Sequence, residues 1–230
     1  MLEIKRVVEM SPAQWDIVIC EGMRNPMNSW AKSDSYITHI CDPDTMQEAD
    51  FAFFMGEEDH KLAMKLAKAG SVHAKYRRMM PLWVTINAPL YWWKEFDTYK
   101  VATVANSCST MHKLHAKEFT LDDFSYERLS CIDLDRGVKS PYTILNDVIR
   151  ALNECRRAYL ETGDKRYWYM MIQLLPSSYM QQRTVMFNYE TLVGLYRDRR
   201  NHKLYEWYTF CDWVETLPYI ELVIGEREEK

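Results

Sequence analysis

Apolar side chains recur at helical spacing in two stretches of the chain. Residues 59–68 place their leucines and alanines on one face, and Gly70 stands where a C-terminal helix cap belongs. A longer pattern begins at Ser140, an N-cap residue followed by proline, and stops near Gly163. Because both patterns carry start or stop residues at the right places, we predict a helix in each.

The rear of the chain has the same character. An apolar stretch runs over residues 167–175 and is interrupted at Pro176. Asn188 is placed to cap a further helix, and a last helix is predicted over residues 203–217, which carries leucine, tryptophan, tyrosine and valine at inward positions. The rear half is therefore expected to be helical.

Alternating patterns predict strands near the front of the chain. Residues 2–8 alternate enough for a short strand. In a second strand with one buried face, Leu82, Val84 and Ile86 alternate with tryptophan, threonine and asparagine. Pro89 then suits the start of a helix that carries several aromatic residues. We predict an α+β fold: one helix-rich domain over residues 1–230, with a small, mostly antiparallel sheet.

Glycine usage excludes whole classes of nucleotide site. No two of the seven glycines lie within ten residues of each other, so neither a P-loop nor a dinucleotide fingerprint can be written with them. Bound phosphate would have to be held by side chains or by helix N-termini.

Asp42-Pro43 is a separate signal and predicts a turn.

Charge and cysteine usage describe the partners and the compartment. The formal charge of −4 argues against binding to a nucleic-acid polymer, which favours a basic surface. The six cysteines form no C-x-x-C pair, the start MLEIKRVVEM is no signal peptide, and no stretch is apolar enough for a bilayer span. We therefore expect a reduced cytoplasmic protein with no membrane partner.

A dense run of hydroxyl and amide side chains follows the paired tryptophans at 92–93. It lies within residues 98–110 and is poorly suited to a helix core. Such side chains can donate hydrogen bonds to a phosphate or a heterocycle. Two alternatives stay open: the run is a polar loop with local caps, or Cys108 within it is a nucleophile helped by Lys100 or His112.

Two further clusters were candidates for chemistry. Four histidines (His60, His73, His112 and His115) lack a third ligand at metal-site spacing, so no metal is predicted. Residues 197–202 place three arginines and a histidine at a helix end. They form either a solvated face that favours the helix dipole or a cation presented to an anionic or carbonyl-bearing ligand.

The order of these pieces is that of a known family. From Leu62 to Leu114, a helix ending at glycine, a strand, Ala88-Pro89, an aromatic helix and the text DTYKVATVANSCSTMH follow one another. This stretch resembles the flavin-dependent thymidylate synthases, also called thymidylate synthase complementing proteins, whose signature is R-H-R-x-x-S-x-N-E-x-S-x-R-Y. In the back half, the family has in series a leucine-proline, an asparagine, and then an arginine, a histidine and a glutamate on the closing helices. Leu175-Pro176 and Asn188 match the first members of this series. The resemblance is clearest over residues 60–215. The remaining members of that series are Arg199, His202 and Glu206.

The signature itself is degenerate in this chain. Residues 98–100, Thr-Tyr-Lys, stand for R-H-R, so only Lys100 keeps a positive charge, and the later R-Y becomes Met111-His112. The arginine four residues before the family's proline is Ile172. The spacing from Arg199 to His202 is one residue shorter than in the family, so Arg197 or Asp198 is an alternative for the position of the family's arginine. The basic run at 75–78 (Lys75, Arg77 and Arg78) is expected to compensate if ligand binding survives.

The resemblance implies an activity and an assembly. Family members are homotetramers that hold FAD and methylate dUMP to dTMP, with methylenetetrahydrofolate as carbon donor and NADPH as reductant. By matched position, flavin contacts are implied for Lys100, Asn106, Asn188 and His202. Nucleotide-phosphate contacts are implied for Ser107 and Ser109. Arg199 is implied to be the catalytic residue that faces the pyrimidine and stabilises negative charge on its ring.

Two other functions remain open at this level. The first is a nucleotide- or flavin-binding homologue that kept the fold and lost or altered catalysis, which the missing R-H-R triplet favours. The second is a flavin enzyme that acts on another pyrimidine and uses Cys108.

Overall fold

The computed structural model describes residues 1–41 and 48–225. The turn predicted at Asp42-Pro43 lies outside those residues. The strands are β1 (Glu3–Val8), β2 (Tyr36–Cys41), β3 (Glu48–Phe54), β4 (Pro81–Pro89), β5 (Val104–Ser107) and β6 (Met180–Asn188). The helices are α1 (Pro12–Asp16), α2 (Glu57–Lys68), α3 (Leu90–Phe96), α4 (Thr110–Lys113), α5 (Pro141–Thr162), α6 (Lys165–Leu174), α7 (Tyr189–Arg199), α8 (Tyr205–Val214) and α9 (Glu221–Ile224).

The strands form a small sheet and a hairpin. The four-stranded sheet has the order β1-β4-β6-β5, and β2 pairs antiparallel with β3, with Tyr36 opposite Phe54. In β4 the predicted alternation is observed, since Leu82, Val84 and Ile86 are fully buried while Trp83 is exposed. The predicted α+β class, helix-rich with a small antiparallel sheet, is confirmed.

Capping residues place the long helices where the sequence predicts them. The hydroxyl of Ser140 accepts a hydrogen bond from the Thr143 amide (3.1 Å) at the start of α5. Gly163 ends that helix in the left-handed region at φ +68°, where a side chain would be strained. The predicted last helix is shorter than expected, because α8 begins at Tyr205 and ends at Val214.

The chain divides into two compact units, each built from separate stretches of sequence. Unit 1 contains residues 1–5, 86–98 and 106–184, and unit 2 contains residues 6–85, 99–105 and 185–230. The prediction of one domain over residues 1–230 stays a prediction.

Each unit has an apolar core of its own. In unit 1 the core lies beneath α5 and α6 and is formed by Leu114, Phe119, Phe124, Leu145, Ile149, Leu152 and Met171. In unit 2 the buried indole of Trp15 packs on Phe53, Tyr189 and Tyr219, at ring-centroid distances of 6.3, 5.8 and 5.1 Å.

Three strand features were not predicted. The hairpin β2–β3 was missed, and so was β6, the strand that leads into α7. The polar run was expected to suit a strand poorly, yet residues 104–107 form β5 at the edge of the sheet. One inward position of β6 is Gln181, which is only 7% exposed. Because this buried residue is polar, the sequence of β6 lacks the alternation of apolar and polar residues that predicts a strand. The Gln181 amide donates to the Cys108 carbonyl (2.9 Å) and its oxygen accepts from Arg183 (2.9 Å), which offsets the cost of burial.

No helix within residues 1–41 and 48–225 combines the length and the apolar character that a bilayer crossing requires.

Candidate functional site

Arg199 is held between two aromatic rings at the end of α7. Its Nε donates to the hydroxyl of Tyr99 (2.9 Å), and its guanidinium carbon lies 4.9 Å from the ring centroid of Trp207 and 5.4 Å from that of Tyr99. These three residues, all in unit 2, are called the arginine clamp below. Cation–π contacts of this kind orient a guanidinium and keep its charge. The arrangement can present a fixed cation to a carbonyl or an anion.

Burial keeps the Tyr99 phenol neutral. Burial raises the pKa of the Tyr99 phenol, and the bonded Arg199 guanidinium opposes that rise. The hydroxyl therefore remains protonated near pH 7 and accepts from Arg199 without neutralising its charge.

The other arginines of the same helix end are engaged on the surface. Arg197 pairs with Asp198 (2.9 Å), and Arg200 pairs with Asp212 (2.7 Å) and Glu215 (3.3 Å). The reading of this cluster as a solvated face therefore describes Arg197 and Arg200. Arg199 has, in addition, aromatic rings on two sides of its guanidinium.

His202 lies next to the clamp in a fixed orientation. Its Nδ1 accepts the amide hydrogen of Leu204 (3.2 Å), and its ring stands edge-on to Trp207 at 6.3 Å. Its own amide donates to the Arg199 carbonyl (3.1 Å). The short loop between α7 and α8 thus ties this imidazole to the arginine by backbone bonds.

Asn188 is the N-cap of α7. Its Oδ1 accepts from the amide of Thr191 (3.0 Å) and its Nδ2 donates to the Arg78 carbonyl (3.2 Å), while the residue is 7% exposed. The Thr191 hydroxyl also lies 3.1 Å from this Oδ1. The cap is predicted correctly, and it sets the direction of the helix that carries Arg199.

The segment with Lys100 lies along the start of the same helix. The hydroxyl of Thr191 donates to the Val101 carbonyl (3.3 Å), next to exposed Lys100. Lys100 itself makes no side-chain hydrogen bond or ion pair with any residue that the structure describes. Unit 2 therefore brings together Lys100, Asn188, Arg199 and His202.

The other predicted contacts belong to unit 1. Asn106 and Ser107 lie in β5, whose residues are all exposed, and the Cys108 amide donates to the Gln182 carbonyl (3.0 Å). Ser109 is the N-cap of α4, where its hydroxyl accepts from the His112 amide (3.0 Å). The polar run thus forms a short edge strand and a capped turn, which agrees in part with the reading as a locally capped loop.

The basic run at 75–78 does not present its central arginine to a ligand. Arg77 is 4% exposed. Its Nη2 forms an ion pair with the Glu190 carboxylate (2.8 Å), and its Nη1 donates to the Leu222 carbonyl (2.8 Å). The expectation that Arg77 compensates for the lost signature arginines is therefore wrong. Because Arg77 is buried beside a carboxylate, its role is structural. A cluster of basic residues in the sequence does not show which of them is buried.

The sequence reasoning missed both aromatic partners of Arg199. Tyr99 is 100 residues away in the chain, and Trp207 lies across the break between two helices, so no helical spacing connects them. It also missed a cleft in unit 1 lined by His112, His115, Lys165 and their aromatic neighbours. Within residues 1–41 and 48–225, no group of His, Cys, Asp and Glu side chains could hold a metal ion.

Comparison with known proteins then identifies the fold. No family model and no curated protein sequence matches the chain. Thymidylate synthase X from Helicobacter pylori, solved with FAD and dUMP, superposes with a TM-score of 0.61 at 15% identity, over 98% of this chain and 96% of that one. The chain has the fold of the flavin-dependent thymidylate synthases. A second structure of the Helicobacter pylori enzyme with FAD and dUMP gives a TM-score of 0.60 at 14% identity.

The same fold extends to an enzyme with a different name, a UMP/dUMP methylase. The UMP/dUMP methylase PolB from Streptomyces cacaoi, solved with 5-Br dUMP, superposes with a TM-score of 0.54 at 13% identity, over 94% of this chain and 88% of that one. The match to the Helicobacter pylori enzyme covers 98% of this chain and so extends into its front part, where the sequence resemblance is weak. The roles of the individual site residues stay predictions.

Proposed function

We propose that the protein is a flavin-dependent thymidylate synthase-like enzyme that converts dUMP to dTMP. In this reaction methylenetetrahydrofolate is the carbon donor, NADPH is the reductant, and the working form is a homotetramer in the cytoplasm. The observation that carries the proposal is the arginine clamp on this fold, in which two rings hold Arg199 in place. By the sequence resemblance, Arg199 matches the arginine that faces the pyrimidine in the family.

Arg199 would stabilise charge on the substrate ring. A guanidinium fixed near a uracil carbonyl stabilises the negative charge that develops there. The stabilisation is greatest when the cation is already oriented before the reaction. Tyr99 and Trp207 act as positioning residues, since they touch the guanidinium. The neighbouring Arg197 and Arg200 keep their carboxylate partners.

The two serines would serve the nucleotide phosphate. The Ser109 hydroxyl accepts from the His112 amide, so its own hydrogen remains available to donate. Ser107 is exposed at the end of an edge strand. Hydrogen bonds from hydroxyls to a phosphate are charge-assisted and are stronger than neutral ones.

FAD fits part of the residue set implied for it. Exposed Lys100 offers an ammonium group to a pyrophosphate, Asn106 offers an exposed amide, and backbone bonds hold the His202 imidazole. Asn188 fits less well as a direct contact, because its amide is occupied by the α7 cap and by Arg78. When bound, FAD supplies the reducing equivalents for the methyl transfer.

The test combines a spectrum with an assay. Purified protein is incubated with FAD, desalted and examined for visible flavin absorbance, and dTMP formation is then measured with dUMP, methylenetetrahydrofolate and NADPH. A flavoprotein that forms dTMP supports the proposal. Protein that stays colourless after exposure to FAD and forms no dTMP overturns it.

A matched pair of variants tests the role of Arg199. Arg199→Lys keeps a charge but loses the planar fork, and we expect kcat/KM to fall by about 100-fold, comparable to losing one electrostatic donor. Arg197→Gln is the control, because its guanidinium is exposed and paired with Asp198. Equal losses in both variants would contradict the assignment.

A binding-only homologue is the second candidate, and one contact favours it. Tyr99 occupies the position of the histidine in the family's R-H-R triplet, and here its hydroxyl is bonded to Arg199. The middle position of the triplet is thus engaged in an internal contact in this chain. Calorimetric binding of dUMP or dTMP without turnover supports this candidate. An enzyme for another pyrimidine would instead lose its activity on Cys108→Ser.

A further inference from the structure

Both peptide groups of Cys108 are fixed on the neighbouring strand, β6. The Cys108 amide donates to the Gln182 carbonyl (3.0 Å), and the Cys108 carbonyl accepts from the side-chain amide of Gln181 (2.9 Å). These two peptide groups join Cys108 to Ser107 on one side and to Ser109 on the other. The backbone between the two serines is therefore held by one backbone bond and one side-chain bond.

The orientation of the Gln181 amide is set by Arg183. The Nε of Arg183 donates to the Oε1 of Gln181 (2.9 Å). Because a guanidinium can only donate, the amide oxygen must face Arg183, and the NH2 group is left to face the Cys108 carbonyl. The Trp93 indole donates to the Gln181 main-chain carbonyl (2.8 Å). Both the side chain and the backbone of this glutamine therefore have fixed partners.

Arg183 is itself held on two sides by α3. Its guanidinium carbon lies 4.4 Å from the ring centroid of Trp93, which is fully buried, and its Nη1 donates to the Asp97 carboxylate (2.7 Å) at the end of that helix. Only 15% of the Arg183 side chain is exposed. A guanidinium held by a cation–π contact and an ion pair has little freedom to turn away from Gln181.

Strand β5 gains little stability from packing. Its four residues are all exposed, and it lies at the edge of the sheet beside β6. Segments with few buried contacts open readily, because little must be broken to expose them. The bond from buried Gln181 is therefore a large share of what keeps residues 107–109 in one geometry.

We propose that Arg183 and Gln181 are positioning residues for the nucleotide phosphate. Arg183 orients the Gln181 amide, and that amide fixes the backbone that presents Ser107 and Ser109. The inference rests on the function proposed above, in which the two serines donate to the phosphate. Arg183 and Gln181 act through the backbone rather than by touching the nucleotide. A backbone already held in place loses less conformational freedom when the phosphate binds.

The first measurement needs no ligand. Hydrogen–deuterium exchange at the Cys108 amide is compared in the wild type, Gln181→Glu and Arg183→Lys. Gln181→Glu keeps an acceptor for Arg183 but places an oxygen against the Cys108 carbonyl, whereas Arg183→Lys keeps the charge without the planar fork. We expect exchange to be about fivefold faster or more in both variants. Exchange at the wild-type rate in both overturns the proposal.

The matched control is Gln182→Glu. It makes the same chemical change one residue further along β6, where the side chain points to the opposite face of the sheet. In the described part of the chain, the Gln182 side chain makes no hydrogen bond. Exchange at the Cys108 amide should therefore stay at the wild-type rate in this variant.

The second measurement is the affinity for dUMP, by isothermal calorimetry of the full-length protein. We expect Gln181→Glu to weaken binding by about tenfold and Gln182→Glu by less than about twofold, although each adds one negative charge. In a Ser109→Ala background the effect of Gln181→Glu should shrink to about threefold, because one of the positioned hydroxyls is gone. Its effect on Tm should be the same in both backgrounds. A purely structural role would lower the affinity equally with and without the Ser109 hydroxyl.

The outcomes separate this inference from the proposed function. If the wild type binds dUMP and forms dTMP, but Gln181→Glu has the same effect on affinity in both backgrounds, the positioning role is overturned and the proposed function survives. Faster amide exchange with unchanged dUMP affinity likewise overturns the positioning role alone. A wild-type protein that binds no dUMP overturns the proposed function and this inference together.

Discussion

The arginine clamp and the polar stretch from Val104 to Lys113 both carry residues predicted to bind ligand, but they are built differently. In the clamp, Arg199 is fixed by two aromatic rings, one of which, Trp207, is fully buried. In the polar stretch every strand residue is exposed, and Ser109 caps a helix of one turn. One region gains its geometry from tertiary packing, and the other gains it from local hydrogen bonds.

The difference shows what each kind of region can contribute. A side chain held by packing is in place before a ligand arrives, whereas exposed hydroxyls must be ordered by the ligand that they bind. Changes in the clamp are therefore expected to affect both stability and function, and changes in the polar stretch are expected to affect function alone.

Thiol reactivity gives the largest contrast between the polar stretch and α8, the helix that carries Trp207 of the clamp. Burial raises the pKa of Cys211, on α8, to about 12, so only about one thiol in ten thousand is ionised at pH 8. Cys108 in the polar stretch is exposed. We expect Ellman's reagent to modify Cys108 in the native protein at least about 1,000-fold faster than Cys211, as read by peptide mass spectrometry. Comparable rates would mean that α8 is open to solvent.

Removal of the Trp207 ring tests the packing under the clamp. Trp207→Ala leaves a large cavity at a fully buried site and is expected to lower the free energy of unfolding by about 3–5 kcal/mol. Urea denaturation measures this loss, and Trp207→Phe, which keeps an aromatic face, should recover part of it. A loss below about 1 kcal/mol would show that the ring does not support Arg199.

Loss of the α7 cap should have an intermediate effect. Asn188→Ala removes the acceptor for the Thr191 amide and the donor to Arg78, and is expected to cost about 1–2 kcal/mol. Asn188→Ser retains a capping oxygen and serves as the matched variant. If the two variants are equally destabilised, the cap is not the source of the effect.

The equivalent change in the polar stretch should have the smallest effect. Ser109→Ala removes the cap of a one-turn, exposed helix, and we expect at most about 0.5 kcal/mol. The same variant should weaken dUMP binding if Ser109 donates to its phosphate. A large loss of stability with unchanged nucleotide affinity would show that Ser109 has a structural role and does not bind the nucleotide.

Elements with local signals were predicted well from the sequence. Ser140, Gly163 and Asn188 act as caps within a few residues of the helices that they bound, so their effect can be read from neighbouring letters. The strand β4 was equally clear, because its inward positions are all apolar. The order of such elements was enough to predict the fold despite a degenerate signature.

Features that depend on distant residues could not be predicted in the same way. The strand β6 was missed because buried Gln181 interrupts its apolar alternation, and its partners, Cys108 and Arg183, are known only from the folded chain. Arg77 was misread because a basic run looks the same whether its members face solvent or a buried carboxylate. The clamp was missed because Tyr99 and Trp207 approach Arg199 only in three dimensions.

The interleaving of the units has a consequence for how the chain can be divided in the laboratory. Each unit is completed by stretches on both sides of the other in sequence, so a single cut in the chain cannot release either one whole. A fragment that ends at residue 184 would contain all of unit 1 but would lack α7 and α8, and with them Arg199 and the ring beneath it. Split-protein complementation, rather than truncation, is the suitable way to study either half by itself.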